Sequence, residues 1–454
     1  MKRLAPGLTS LIFALTGCSS TIAPQPTTQT ASQFARAPAK EAGKTGSVIQ
    51  HVVVIIQENR SVDNLFNGFP GANTVRSGLD SKGKTIELVP EDLANPYDLE
   101  HTRGAFYTEY ADGNIDGFDR VRAHSLDGKV YHDKYFAYSY VPKSQIRPYW
   151  TMASQYVLSD DTFQSNGGPS FPAHLYLIAG QSDHVSENPD GSPWGCDAPP
   201  GTRAAYVDPN TGKQIEPGIF PCFNTTQIAT TMAQELDAAG LTWRYYAPSV
   251  RDRSNFGRNW SVYDAIQTIR DGSDWSKDVI SPETQILDDV KNGELSTVTW
   301  VVPSAANSDH SGFNTGGGPS WVASVVDAVG QSKYWNSTAI FVIWDDWGGW
   351  YDHVSPPQYD YEGNGFRVPL LAISPYALQG VVSHTQHESA SILKFIENRF
   401  GLAEMSTADR RASDLTEMFD FNQKPRGFQV IPQDVRTQDL IRAAQADHRS
   451  PDDD

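Results

Sequence analysis

Apolar positions along this chain repeat with two periods. His51-Val52-Val53-Val54-Ile55-Ile56 is a continuous β-branched run, the pattern of a strand buried on both faces in a parallel sheet. Comparable runs lie at 241–246, at 297–302 before Pro303, at 338–344 before two aspartates, and at 368–373 before Ser374-Pro375. Between them the period lengthens to that of a helix. Residues 228–239 predict one helix, stopped by Gly240 where a left-handed cap is needed. Val322, Val325, Val326 and Val329 form a second apolar stripe, and Ile392, Phe395, Ile396 and Phe400 form a third, ending at Gly401. Strands alternating with helices predict an α/β fold with a mostly parallel central sheet flanked by helices.

Two stretches break the pattern. Residues 80–150 and 185–225 are rich in Gly, Pro, Tyr and Asp and only weakly periodic, so they are expected to form long loops or a cap over one edge of the sheet. The amino terminus stands apart as well. Lys2 and Arg3 precede a short apolar run from Leu11 to Leu15, too short to cross a bilayer, which reads as a signal peptide over residues 1–17. Leu15-Thr16-Gly17-Cys18 resembles the lipobox of bacterial lipoproteins. That resemblance implies cleavage before Cys18 and lipid on its sulfur, hence an exported lipoprotein of the cell envelope, facing the periplasm from the outer membrane. Residues 18–46, rich in Ser, Thr, Pro, Gln and Ala, read as a flexible tether. The folded body is expected at 47–425, followed by a carboxyl-terminal extension at 426–454.

Charge narrows the chemistry. The formal net charge is −18, and removing Lys2 and Arg3 with the signal peptide lowers it by two, to −20. Such a chain is not expected to bind nucleic acid through bulk electrostatics, so any phosphate chemistry needs a local positive site such as a metal ion. Of the three cysteines, Cys196 and Cys222 remain once Cys18 is lipidated, and in an oxidising compartment they are expected to pair.

Ligands of parallel α/β sheets bind beyond the carboxyl ends of the strands. Glu58 and Asn59 follow the first strand, and Asp345 and Asp346 follow the strand at 338–344. Carboxylates with an amide oxygen suit a hard divalent cation. Each segment alone also fits ordinary turn chemistry. Adjacent strand residues point to opposite faces, so Asp345 and Asp346 can share an ion only if the strand ends there, as Gly348-Gly349 suggests. Ser170, in Gly167-Gly168-Pro169-Ser170, opens a helical segment, where free N–H groups favour a phosphate; the same position also suits a plain helix cap. Gly317-Gly318-Pro319-Ser320 repeats the pattern, and spacing alone leaves open which serine reacts. His101, His310 and His353 stand in polar contexts and are candidates for holding a phosphoryl oxygen or protonating a leaving group.

Together these segments resemble the bacterial phosphoesterase family that contains phospholipases C and some acid phosphatases, with an alkaline phosphatase-like fold. The matching strings are the run from His51 through Gln57-Glu58-Asn59-Arg60 to Phe66, Asp116-Gly117-Phe118, Gly168 to His174 with Ala179-Gly180-Gln181, Ser308-Asp309-His310, and the run from Trp344 to Pro357. The resemblance covers about 48–405. It implies a divalent metal ion on Glu58, Asn59, Asp345 and Asp346, with Ser170 as metal-bound nucleophile forming a phosphoseryl intermediate, and His101 and His310 near the phosphate; His353 belongs to the same signature. It thereby reads 47–425 as a phosphoesterase domain acting on a phosphoester substrate, phospholipid among the candidates. Many members have Asp-Glu where this chain has Asp345-Asp346, which puts the second contact in question. A sulfatase-like or phosphotransferase activity on the same fold is one rival, although Ser170-Phe171-Pro172-Ala173-His174 lacks the arginine of the sulfatase motif. A lipid-anchored binding module without enzymatic activity is another.

Overall fold

The computed structural model describes residues 48–125 and 128–446. The expected signal peptide, Cys18 and the expected tether to residue 46 lie outside the described residues, as does the end of the carboxyl-terminal segment. Eight strands form the central sheet: β1 (His51–Gln57), β2 (Val157–Ser159), β3 (Trp243–Tyr246), β4 (Val279–Ile280), β5 (Val298–Val301), β6 (Thr338–Trp344), β7 (Leu370–Ile373) and β8 (Val381–Ser383). Their spatial order is β4-β3-β5-β1-β6-β7-β2-β8. Only β7 runs against the others, antiparallel to both β6 and β2. The β-branched run of β1 takes the interior place between β5 and β6, which is why it carries no polar alternation: Val52 to Ile56 are all fully buried.

Seven helices matter for the site: α1 (Arg147–Gln155), α2 (Ser170–Ala179), α3 (Met232–Ala238), α4 (Gln285–Asn292), α5 (Gly318–Gly330), α6 (Ser391–Phe400) and α7 (Thr437–Ala446). They fall into two groups. One packs α1, α4 and α7 around α5, and the other packs α3 and α6 around α2. The valine stripe at 322–329 is the fully buried face of α5. Helix α3 starts later than the periodicity predicts, because Thr231 and Gln234 form a capping box there.

The register of the sheet sets up the chemistry. Ile280, Tyr246, Val301, Ile55 and Val342 lie in one row across β4, β3, β5, β1 and β6. Three residues further along, each of these chains passes the carboxyl edge of the sheet, at Glu283, Ser249, Ser304, Glu58 and Asp345.

The weakly periodic stretch before residue 150 is a second packed layer. Leu99, Phe106, Phe118, Phe136 and Tyr138 form their own apolar cluster with Trp347, Trp350 and Phe366. The cap is thus anchored on the glycine-rich segment that follows β6. Cys196 and Cys222 are disulfide-bonded across 26 residues of the other stretch. Residues 426–446 also pack on the body. Ile431 and Leu440 join the main core, and the Asp434 and Val435 N–H groups donate to the Ser320 hydroxyl at 3.0 and 3.1 Å. Ser320 lies inside α5, not before it, so its role is to hold this segment and not to cap its own helix.

Candidate active site

β1 runs out at Gln57, and Glu58 and Asn59 turn away from the sheet. Asn59 adopts φ 61°, a left-handed conformation that asparagine tolerates better than most residues. In that conformation its N–H donates to Asp345 Oδ1 at 3.2 Å and its Nδ2 donates to His101 Nε2 at 2.9 Å. His101 Nδ1–H donates to the Leu99 carbonyl at 2.7 Å, which fixes Nε2 as the acceptor.

β6 ends one residue before the aspartates. The Asp345 N–H still donates to the Gln57 carbonyl at 3.0 Å, after which Gly348 and Gly349 take φ 62° and 71°. A Cβ on Gly348 would stand 2.4 Å from the Asn59 carbonyl oxygen, so only glycine lets the two segments meet. This early ending frees Asp345 and Asp346 from strand alternation. Asp346 Oδ1 accepts the Gly348 N–H at 2.7 Å, and its Oδ2 accepts the Ser170 hydroxyl at 3.1 Å.

Ser170 is the first residue of α2, with Pro169 in the cap position. Its hydroxyl crosses to Asp346 instead of capping its own helix, so the capping alternative does not hold. One turn on, His174 faces the same way. Its Nε2 is hydrogen-bonded to Glu58 Oε1 at 2.8 Å and lies 3.6 Å from Asp345 Oδ2. Sequence reasoning did not single out His174; its i, i+4 spacing from Ser170 on one helix was the available signal.

Glu58, Asn59, Ser170, His174, Asp345 and Asp346 are all essentially inaccessible to solvent. Burial, together with the charge of Asp345, pushes the carboxyls of Glu58 and Asp346 well above the usual carboxylate range. Burial also lowers His174 to about 4, so the imidazole in contact with these acids is neutral near pH 7. The close His174–Glu58 pair is therefore a hydrogen bond and not a charge pair. Glu58 Oε2, Asn59 Oδ1 and Asp345 Oδ2 have no hydrogen-bond partner. Buried carboxylates left without a counter-charge are costly. Oxygen donors of this kind beside a serine hydroxyl fit a divalent cation in both charge and hardness.

Beside this group lie Asp98, His101 and His310, whose ligand atoms come within 4.8 Å of one another. The His101 and His310 rings are 5.6 Å apart, and His310 Nδ1–H donates to the Ser311 carbonyl at 2.7 Å. Trp260 stacks on His310 at 5.9 Å and Phe313 meets its edge at 4.9 Å. His353 is placed differently from the other two candidate histidines. Its Nδ1 bonds Asp63 Oδ2 at 2.5 Å, its Nε2 bonds Asn73 Oδ1 at 3.2 Å, and the Arg367 guanidinium lies 3.3 Å away. The structure thus brings Glu58, Asn59, His101, Ser170, Asp345 and Asp346 together with His310 alongside, and sets His353 in a separate cluster.

Residues 49–403 match the sequence model of the Phosphoesterase family. The hemolytic phospholipase C of Pseudomonas aeruginosa is 26% identical over 90% of this chain, and the alignment spans 60% of that relative, less than two thirds of its length. Phospholipase C B of Mycobacterium tuberculosis is also 26% identical, over 83% of this chain and 78% of its own. Among solved structures, an alkaline phosphatase superfamily protein from Vibrio parahaemolyticus covers 88% of this chain and 86% of its own at 10% identity, with a TM-score of 0.38, a likeness too low to carry weight for the site.

Proposed function

Because the chain belongs to the Phosphoesterase family, we propose that it hydrolyses phosphoric esters with Ser170 as nucleophile and a divalent metal ion held by Glu58, Asn59, Ser170, Asp345 and Asp346. The observation that supports this reading most is the set of unpartnered buried oxygens on Glu58, Asn59 and Asp345 beside a serine whose hydroxyl leaves its own helix to reach Asp346. When bound, the cation lowers the pKa of the serine hydroxyl and offsets charge on the phosphoryl oxygens.

The chain's own groups do the rest. Asp346 Oδ2 accepts the Ser170 proton as Oγ bonds to phosphorus. The amino end of α2 favours the anion at that point. His310, whose Nδ1–H is held on the Ser311 carbonyl, turns Nε2 to the substrate and, protonated there, steadies a phosphoryl oxygen and protonates the departing ester oxygen, while His101 accepts from the Asn59 amide and holds that ligand beside the phosphate. The ester P–O bond breaks, the alcohol leaves, and water hydrolyses the phosphoserine to restore Ser170.

Phospholipid is the proposed substrate class, supported by the phospholipase C relatives; small phosphoesters are the competing class. The test is release of phosphate or head group from phosphatidylcholine and from aryl monoesters and diesters, with and without chelator. Turnover that survives chelation, or survives in folded Ser170→Ala, sinks the mechanism; turnover of small esters alone sinks the substrate assignment.

Export belongs to the same reading. The Leu15-Thr16-Gly17-Cys18 string and a disulfide suited to an oxidising compartment support a lipid-bearing Cys18 in the outer membrane. Intact mass of the membrane fraction tests it: a soluble mature form beginning elsewhere rules the anchor out.

A further inference from the structure

The register row places another acid at the carboxyl edge of the sheet, away from the phosphoester site. Glu283 stands three residues past Ile280 on β4, just as Glu58 stands three past Ile55 on β1. Three strand intervals separate them, about 14 Å at ordinary strand spacing. Glu283 is 1% exposed, and its Oε1 has no hydrogen-bond partner. It lines a cavity of about 300 Å³ with Ser249, Ser281, Asp252, Asn255 and Gln445 of α7.

The chemistry of the lining is one-sided. It includes two carboxylates and several hydroxyls and no Lys, Arg or His. Ser281 donates its proton to the Ala247 carbonyl at 2.8 Å, which leaves its oxygen as an acceptor. Burial raises Glu283 to about 7, and no basic side chain lines the cavity beside it among the described residues. An anion is disfavoured here. A bare metal ion is too small for the volume, and among the described residues Glu283 belongs to no group of three close metal-ligating side chains.

We propose that this cavity binds a small ammonium-bearing molecule, with Glu283 as its buried counter-charge, Asp252 as a second charge at the mouth, and the Ser249 and Ser281 oxygens as acceptors. The proposal does not depend on the phosphoesterase reading, since none of these residues touches that site.

The probe is ethanolammonium, titrated calorimetrically into the full chain at about pH 8, where Glu283 is ionised and the amine is still charged. Ethylene glycol serves as the neutral comparison. Saturable one-site binding is expected for ethanolammonium and none for the glycol. Glu283→Gln should weaken it roughly tenfold or more, the scale of a lost charge-assisted hydrogen bond, and Asp345→Asn should leave it unchanged. Absence of saturable binding, equal affinity in Glu283→Gln, equal binding of the glycol, or loss in Asp345→Asn would each overturn the assignment. Should Glu283→Gln not fold, the exposed Asp252→Asn variant decides, with weakened binding supporting the site and unchanged binding refuting it.

Discussion

The segments that follow β1 and β6 each donate acids twice, and the two resulting clusters solve the same electrostatic problem differently. Glu58 meets Asp345 and Asp346 with no cationic side chain among the described residues, beside a histidine that burial keeps neutral. A few residues on, Asp63 meets Asp352, and there Arg367 completes the site. Its Nε and Nη2 donate to Asp352 at 2.8 and 3.0 Å, its Nη2 also reaches Asp63 at 3.5 Å, and its Nη1 donates to the Asp160 carbonyl at 2.7 Å. All three side chains are fully buried. Among the described residues the first cluster meets no cationic side chain, whereas the second carries its own. Acids in strand-end segments are therefore not in themselves a sign of a metal site; what distinguishes one is the absence of a guanidinium that fills it.

The comparison can be broken most sharply at Ser170. Ser170→Ala should lower turnover by roughly 10⁴-fold or more with the fold intact, checked by kinetics alongside circular dichroism. Asp345→Asn should act similarly, with partial rescue by excess metal. Near-normal turnover in folded Ser170→Ala would mean that the open cluster is not the reactive one. In the closed cluster the loss should appear in stability instead. Arg367→Leu strands Asp63 and Asp352 as buried charges and should cost about 3–5 kcal/mol in urea denaturation, with no rescue by added metal.

A metal ion should discriminate between the clusters more gently. At a free concentration about 100 times its Kd, a divalent cation should stabilise the chain by about 2.7 kcal/mol, and Asp345→Asn should abolish that gain. The effect should depend on pH. Without metal, the raised carboxyls of Glu58 and Asp346 contribute stability below the ordinary carboxylate range, and that contribution is lost as pH rises through their folded values. A cation must displace the same protons, so its affinity should strengthen with rising pH and proton release should accompany binding. Thermal melts with and without metal across pH should therefore diverge on the alkaline side; parallel curves would contradict the assignment.

Much of the open cluster was legible because its parts lie in strong local patterns: β-branched runs ending at Glu58-Asn59 and at Asp345-Asp346, and a Gly-Pro-Ser helix start. The sheet itself was legible for the same reason, since a strand buried on both faces cannot hide its composition. What was not legible depends on contacts between distant segments. Nothing in Phe366-Arg367-Val368 shows that Arg367 neutralises acids 15 and more than 300 residues earlier in the chain. Ser320 resembles Ser170 in its local sequence, and only the position of 434–435 reveals it as the acceptor for that segment. The register row that aligns Glu283 with Glu58 likewise exists only once the strands are paired.

The smallest expected effect is at His353, where the two clusters could still prove to be one. The resemblance that singled out Ser170 also takes in His353, and the ring keeps 19% of its surface exposed to solvent. Its geometry argues for a supporting role. Both ring nitrogens are engaged, and Asp63 Oδ2 also accepts the His353 main-chain N–H at 2.9 Å, a bond that survives substitution. Glutamine keeps a donor for Asp63, and Arg367 still faces both acids. His353→Gln should therefore cost only about 0.5–1.5 kcal/mol of stability, the scale of one hydrogen bond. It should change kcat by much less than the roughly 10²–10⁴-fold expected on removing a general acid. Denaturation and steady-state kinetics on the same preparation separate the outcomes. A kcat loss of about 100-fold or more in a variant of near-normal stability would place His353 among the catalytic groups and make the closed cluster the outer wall of the active site.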